Sequence, residues 1–205
     1  MDKIKSLHRI AGIIIAIFAA AHLFNHAMAW YGIETHQLIM ASLRTIYRNP
    51  VVEFLLITSV LFQVYSGIQL FRRWLRDGER TLSAKLQAYS GVLFAFFILQ
   101  HVGATLSQRF GSLDTDFYFA ARVVLETPLK YYFIPYYFMG IMAFGVHIGT
   151  THTRKMTQLH RERAGRIQAI GFVVAMLTLA VLILYIFMGG SYSIVIPAGK
   201  EVFSF

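Results

Sequence analysis

The chain has 205 residues, of which 57% are hydrophobic and 14% are charged, and its mean hydropathy is +0.56. This composition has too little polar material to cover a water-soluble globule, so it excludes an ordinary soluble protein and favours a membrane protein. The formal net charge is +9 and there is no cysteine, which excludes disulfides, thiolate metal sites, iron–sulfur clusters and covalently attached c-type haem within this chain.

Five apolar runs follow one another along the chain, each close to the ~20 residues with which a helix spans a hydrocarbon core. They are residues 10–30, 51–71, 86–106, 131–151 and 167–188. The alternation of polar and apolar residues that is typical of barrel strands is absent. The first run lacks a small-residue cleavage site, so we expect a retained helix rather than a signal peptide. We predict an all-α fold, a five-transmembrane-helix bundle that forms a single domain over residues 1–205.

Positive charges are distributed unevenly between the two sides of the predicted bundle. Thirteen Lys and Arg residues lie in the N-terminal segment and in the connections after the second and fourth runs, whereas the other side has six: Arg44, Arg48, Arg109, Arg122, Lys130 and Lys200. The positive-inside rule therefore predicts a cytoplasmic N-terminus and an outside C-terminus. We expect the chain to lie in a bacterial cytoplasmic membrane. Topology accounts for most of the net charge, so no nucleic-acid partner is expected.

The two outer connections, residues 31–50 and 107–130, are longer than turns. We expect them to form amphipathic caps on the outer membrane surface. The inner connections are short and basic, which favours tight helical hairpins that face the cytoplasm.

Four of the eight histidines lie within the apolar runs: His22 and His26 in the first, His101 in the third and His147 in the fourth. An imidazole at membrane depth needs a polar partner or a ligand. At about 1.5 Å of rise per residue, His22 and His101 lie at matching depth in the outer leaflet. Two imidazoles on facing helices at equal depth suit the two axial positions of a b-type haem. We therefore predict haem b between His22 and His101, with His26 as a competing ligand or a partner of a haem propionate.

In the inner leaflet, His147 has no histidine opposite it. The corresponding position on the second helix is Gln63. For each buried histidine the alternative is a hydrogen bond to a neighbouring helix, or a water-filled cavity of a transporter. The other four histidines, His8, His36, His152 and His160, fall at interfaces or in connections, where we expect ordinary solvated side chains.

Several segments resemble the single-chain, five-helix cytochrome b subunit of succinate dehydrogenases and fumarate reductases. They are LHRIAG and HLFNH in the first helix, EFLLITSVLFQVYSG in the second, LQAYSGVLFAFFILQH in the third and YYFMGIMAFGVH in the fourth. The resemblance extends from Leu7 to about Gly189. In that family the cytochrome anchors a flavoprotein and an iron–sulfur subunit at the cytoplasmic face, holds two haems b by four histidines and exchanges electrons with quinone.

The resemblance implies that His22 and His101 bind the outer haem and that His147 is one ligand of the inner haem. The family's fourth ligand position falls on Gln63, and because glutamine is a poor haem ligand, one haem is expected and the second stays open. The resemblance also implies that the chain does not oxidise succinate itself. It would relay electrons of the tricarboxylic acid cycle between a partner's iron–sulfur cluster and membrane quinone.

Quinone chemistry also needs protons. The candidates for a quinone site are Glu53 on the outer side and His8, Arg9 and Ser90 on the inner side. Two other classes of function share these features. One is a membrane cytochrome b that resembles the haem subunit of hydrogenases or formate dehydrogenases, and the other is a haem-free membrane anchor or transporter, which Gln63 favours.

Overall fold

The computed structural model describes residues 3–78, 80–110 and 114–198, so Lys200 lies outside the described residues. In these ranges the chain is all-helical, as predicted. A 3-10 turn, Ala29–Tyr31, follows the first of seven α-helices. These are α1 (Lys3–Met28), α2 (Ile33–Tyr47), α3 (Pro50–Asp77), α4 (Leu82–Phe110), α5 (Phe117–Leu125), α6 (Lys130–Gln158) and α7 (Glu162–Phe187).

Five helices are long and apolar enough to cross a membrane: α1, α3, α4, α6 and α7. The predicted number of spanning helices is therefore confirmed, and the chain is a multi-pass membrane protein. Large apolar side chains point away from the bundle, among them Ile17 and Phe54, which are 68% and 72% exposed. Such an exterior suits contact with lipid. The helices extend beyond the apolar runs, since arginines at their ends are good helix formers whose charged heads snorkel to the interface.

The bundle has two different ends. The basic end carries the start of α1 and the short α3–α4 and α6–α7 connections, and the cap end carries α2 and α5. Local signals set the cap-end helices: Asn49 accepts a hydrogen bond from the Val51 amide and Pro50 occupies the first turn of α3, while Asp116 caps α5 through the Phe119 amide. Gly32, at φ 115°, makes the turn from α1 into α2 in a conformation that other residues rarely adopt.

The five spanning helices form a closed ring in the order α1, α3, α4, α6 and α7, with α7 returning to α1. Helices that face each other across this ring stay apart. Among the described residues, no Cα of α1 comes within 8 Å of α4 or α6. The interior is therefore filled by side chains that project from opposite helices, and the membrane-depth histidines are among them.

The largest apolar core lies at the cap end. It joins α5, α6 and α7 to the 3-10 turn and includes Ala29, Phe117, Ala121, Ile186 and Phe187, all 3% exposed or less. The Tyr192 hydroxyl donates to the Ala29 carbonyl over 2.8 Å and fixes the segment after α7 to this core. The two predicted amphipathic caps contain the helices α2 and α5, which pack on one end of the ring.

Candidate functional site

The rings of His22 on α1 and His101 on α4 meet in the interior, with their centroids 5.8 Å apart and their planes at 68°. The two helices are not neighbours in the ring, so these imidazoles reach toward each other across it. Their meeting agrees with the matching depth that the sequence predicts.

Each of these two imidazoles is backed by an aromatic ring one turn earlier on its own helix. Phe18 stacks on His22 with centroids 5.6 Å apart, and Phe97 stacks on His101 at 5.3 Å. Gly140 on α6 makes room for Phe97, because a Cβ at position 140 would lie 2.3 Å from the Phe97 ring. The α6 backbone thereby positions Phe97, and Phe97 positions His101.

A string of polar side chains continues from His22 toward the cap end. His22 and His26 approach through their Nε2 atoms at 3.2 Å, and His26 Nδ1 lies 3.2 Å from Nε2 of His36 on α2. The Asn25 amide Nδ2 lies 3.1 Å from the same His36 nitrogen. With His101, four histidines therefore lie in one connected group, which we call the outer cluster.

His36 is 1% exposed, so the expectation of a solvated side chain at this position was wrong. The rings of Phe117 and Phe187 pack against it and close the outer cluster from the cap end. Burial, with a smaller contribution from the Arg44 guanidinium, lowers the pKa of His36 to about 4, so its ring is neutral at physiological pH. Two buried atoms of the string, His36 Nδ1 and Asn25 Oδ1, have no hydrogen-bond partner within the described part of the chain.

A second group, the inner cluster, lies nearer the basic end and centres on His147 of α6. The His147 Nδ1–H donates to the Gln87 carbonyl of α4 over 3.0 Å. Gly91 accommodates the ring, since a Cβ there would lie 2.9 Å from His147 Cε1. Because a carbonyl oxygen only accepts, Nδ1 carries the proton and Nε2 keeps its lone pair.

Across the ring, His8 of α1 contacts α3. Its Nδ1 lies 2.7 Å from the Ser66 hydroxyl and its Nε2 lies 3.1 Å from the Gln63 amide Nε2. The predicted solvated side chain is therefore a half-buried, doubly hydrogen-bonded one. Gly12 and Gly67 flank this contact: a Cβ at Gly12 would lie 3.1 Å from Gln63, and one at Gly67 would lie 3.7 Å from His8.

The candidate quinone residues do not form one group. Glu53 forms an ion pair with Arg109 that joins the cap-end portions of α3 and α4. Ser90 is buried and donates to the Leu86 carbonyl of its own helix, while Arg9 is exposed. Of the three inner candidates, His8 is the one that the structure places in a cluster of polar side chains.

The donor set fits a haem better than a bare ion. In the described ranges, no three His, Asp or Glu side chains are arranged to hold a free metal ion. A haem iron needs only two protein ligands, since the porphyrin supplies the other four. An imidazole nitrogen lies about 2 Å from a bound transition metal, which places the centroids of two axial rings roughly 6 Å apart. The 5.8 Å between His22 and His101 agrees with this separation.

Three features of the two clusters were not found from the sequence. They are the burial of His36, the stacking of Phe18 and Phe97 on the two histidines, and the contacts of His8 with Gln63 and Ser66. Two signals were available. Phenylalanine precedes histidine by four residues in both α1 and α4, and His8 precedes His22 by fourteen, which is nearly four helical turns and places both on one face of α1. No sequence signal places His36, since its burial depends on how α2 packs over the ring.

Comparison with known proteins finds no matching family model, no matching curated protein and no matching solved structure.

Proposed function

We propose that this chain is a membrane-embedded cytochrome b that holds haem between His22 and His101. The observation that carries the proposal is the approach of these two imidazoles from opposite helices to 5.8 Å, inside a ring of five spanning helices. Across the described ranges, the backbones of α1 and α4 do not touch, and side chains reach across the space between them. A flat cofactor held between two axial ligands requires two helices that stand apart in this way. The backing by Phe18 and Phe97 holds both rings in place.

Of the two candidates on α1, the geometry favours His22 over His26 as the ligand. His22 is in ring contact with His101 and has one nitrogen, Nε2, in contact with His26, whereas both nitrogens of His26 contact other histidines. His26, Asn25 and His36 then form the polar wall on the cap-end side of the haem. The unpartnered His36 Nδ1 and Asn25 Oδ1 provide further hydrogen-bonding capacity there.

Haem would supply one-electron chemistry, and the chain would supply axial ligation, burial and a position at membrane depth. We further propose, on the resemblance of the helices, that the chain is the membrane-anchor subunit of a succinate:quinone oxidoreductase. Flavoprotein and iron–sulfur subunits would dock at the basic end, and quinone would exchange electrons with the haem. The basic end offers positive charge to such a partner through Arg72, Arg73, Arg163 and their neighbours.

The cytochrome proposal is tested with visible and electron paramagnetic resonance spectra of four purified proteins. These are the native chain and the single variants His22→Ala, His101→Ala and His160→Asn. The last variant is the control: His160 is exposed, and asparagine tolerates its backbone φ of 57°. We expect the native chain and the control to show the low-spin signal of a haem with two imidazole ligands, and both alanine variants to lose that same signal. Retention of that signal in both alanine variants would contradict the assignment.

The subunit proposal has a separate test. Affinity purification from the native membrane should recover a flavin-containing and an iron–sulfur protein with the chain. Recovery of a hydrogenase or formate dehydrogenase subunit instead would place the chain with the other class of membrane cytochromes b.

A further inference from the structure

Helix α2 lies beside the part of α1 that carries His22. Near the start of α2, the His36 ring stacks on His26 of α1 with centroids 5.2 Å apart. Near its end, the Tyr47 ring meets Phe18 of α1 edge-on at 5.5 Å. Eleven residues separate His36 from Tyr47, which is three helical turns to within about 20°, so one face of α2 makes both contacts. His22 lies on α1 between the two contacts, and α2 therefore passes alongside the proposed haem ligand.

His36 presents a buried N–H group that has no acceptor. The Asn25 amide Nδ2, which can only donate, lies 3.1 Å from His36 Nε2. His36 Nε2 therefore accepts, and the single proton of this neutral ring is on Nδ1. Nδ1 is buried, and within the described part of the chain nothing accepts its proton. Because native proteins leave few buried donors unsatisfied, this N–H indicates an acceptor that comes from outside the chain.

Arg44, about two turns after His36, adds a second buried donor and a positive charge. Its Nη2 lies 3.0 Å from the carboxylate of Asp114 and 3.3 Å from the hydroxyl of Thr115. Its Nε is buried and also has no partner among the residues that the structure describes. Arg48 approaches the same Asp114 oxygen at 3.9 Å, so two guanidinium groups share one carboxylate. The two arginines therefore carry one positive charge in excess.

The side chains of His36 and Arg44 meet one region, because both reach the short segment that leads into α5. Arg44 contacts Thr115, and the His36 ring packs against Phe117, two residues later, with centroids 5.4 Å apart. Side chains of a helix lean toward its N-terminus, which brings the Arg44 guanidinium back toward His36. Asp116 lies between the two contacts, but its carboxylate already accepts from an amide of α5. Two N–H donors and an excess positive charge favour an anionic ligand.

A b-type haem carries such an anion on its edge, since its two propionates are carboxylates that require donors when they are buried. We propose that α2 forms the propionate-binding wall of the haem site, with His36 Nδ1–H and Arg44 Nε–H as the donors. The inference rests on the proposed cytochrome function and adds to it a helix outside the five spanning ones. It also selects among the histidines, because both nitrogens of His26 already contact other histidines, which makes His36 the better propionate partner.

The experiment titrates the purified, haem-free full-length chain with protohaem and with protohaem dimethyl ester, in which both carboxylates are blocked. Binding is followed at the low-spin signal that depends on His22. The first variant is Arg44→Gln, and its matched control is Arg48→Gln, on the same helix and beside the same Asp114. We expect Arg44→Gln to weaken protohaem binding by roughly 10- to 100-fold and to leave ester binding within about threefold of the native value. The control should bind both haems like the native chain.

Two variants of His36 distinguish the roles of its two nitrogens. The amide nitrogen of asparagine is attached to Cγ, as Nδ1 of histidine is, whereas that of glutamine lies one atom further out, near the position of Nε2. We expect His36→Asn to bind protohaem roughly tenfold more tightly than His36→Gln, and the two variants to bind the ester equally. A purely structural role of His36 predicts the same ratio for both haems. Circular dichroism of each variant checks that the helices are intact.

The outcomes separate the two proposals. A native chain that binds neither haem overturns both. A chain that binds protohaem through His22, but whose Arg44→Gln variant loses the same factor of affinity for both haems or loses none, overturns the role of α2 and leaves the cytochrome proposal standing. The role of α2 is also overturned if the native chain binds protohaem and its ester equally, or if His36→Gln binds protohaem as tightly as His36→Asn does.

Discussion

Gly91 is the position at which the geometry of the inner cluster makes the sharpest prediction about stability. An alanine Cβ at this site would lie 2.9 Å from Cε1 and 3.0 Å from Nδ1 of His147. Non-bonded carbon atoms settle about 3.5 to 4.0 Å apart, so the imidazole would have to move away from α4 by roughly half an ångström or more. The Gln87 carbonyl that binds Nδ1 also belongs to α4.

This movement would stretch the hydrogen bond between Nδ1 and the carbonyl, now 3.0 Å, beyond the range in which such a bond holds. A buried donor without a partner costs about 1–3 kcal/mol. Replacing glycine by alanine in a helix also contributes about 0.5–1 kcal/mol of stabilisation. The matched control is Gly103→Ala on the same helix, where a new Cβ meets nothing within 4 Å. The control therefore isolates the helix-propensity gain.

We expect Gly91→Ala to be less stable than Gly103→Ala by about 1–3 kcal/mol. The assay is reversible unfolding in mixed detergent micelles, followed by circular dichroism. Equal free energies of unfolding for the two variants would refute the reasoning, because they would mean that the His147 ring moves without losing its hydrogen bond.

Three further predictions concern the cap end and the topology. In a double-mutant cycle, Glu53→Gln and Arg109→Gln should show a coupling of about 0.2–1 kcal/mol that weakens with added salt, since the pair is partly exposed; a coupling of zero at low salt would contradict a stabilising ion pair. His36→Ala should lower the free energy of unfolding by about 2–4 kcal/mol, because it leaves a cavity and removes the hydrogen-bond partner of Asn25 and His26. The control is Leu38→Ala on the same helix, which should have little effect because Leu38 is 70% exposed. Because the chain has no cysteine, Ser42→Cys should react with a membrane-impermeant thiol reagent in intact cells and Lys155→Cys should not; the reverse pattern would overturn the predicted orientation.

Helix number and type could be predicted because the bilayer restricts the chain so strongly. A run of about twenty apolar residues has to form a helix in hydrocarbon, where every backbone group must find its partner locally. The same rule explains why helix ends were predicted less well. The helices continue into charged segments such as Arg72 to Asp77, where hydropathy has already ended but helix formation has not.

The outer cluster could be predicted in part. Depth along a helix is linear in sequence, so the meeting of His22 with His101 follows from counting residues. His36 could not be placed in this way, because its burial comes from the packing of α2 and α5 over the ring. His8 was assigned to an interface because it lies near the start of α1. Its hydrogen-bond partners, Gln63 and Ser66, lie on α3, more than fifty residues later in the chain.

The central claim is that the chain binds haem b within its helices. The most direct test is a dithionite-reduced minus oxidised visible spectrum of the purified full-length chain, with a pyridine haemochrome assay on the same sample. The account predicts the spectrum of a low-spin b-type haem, with protohaem that is released intact by pyridine because no cysteine holds it covalently. A chain that folds, inserts into membranes and carries no haem would contradict it, and would favour a haem-free anchor in which the buried histidines only join the helices to one another.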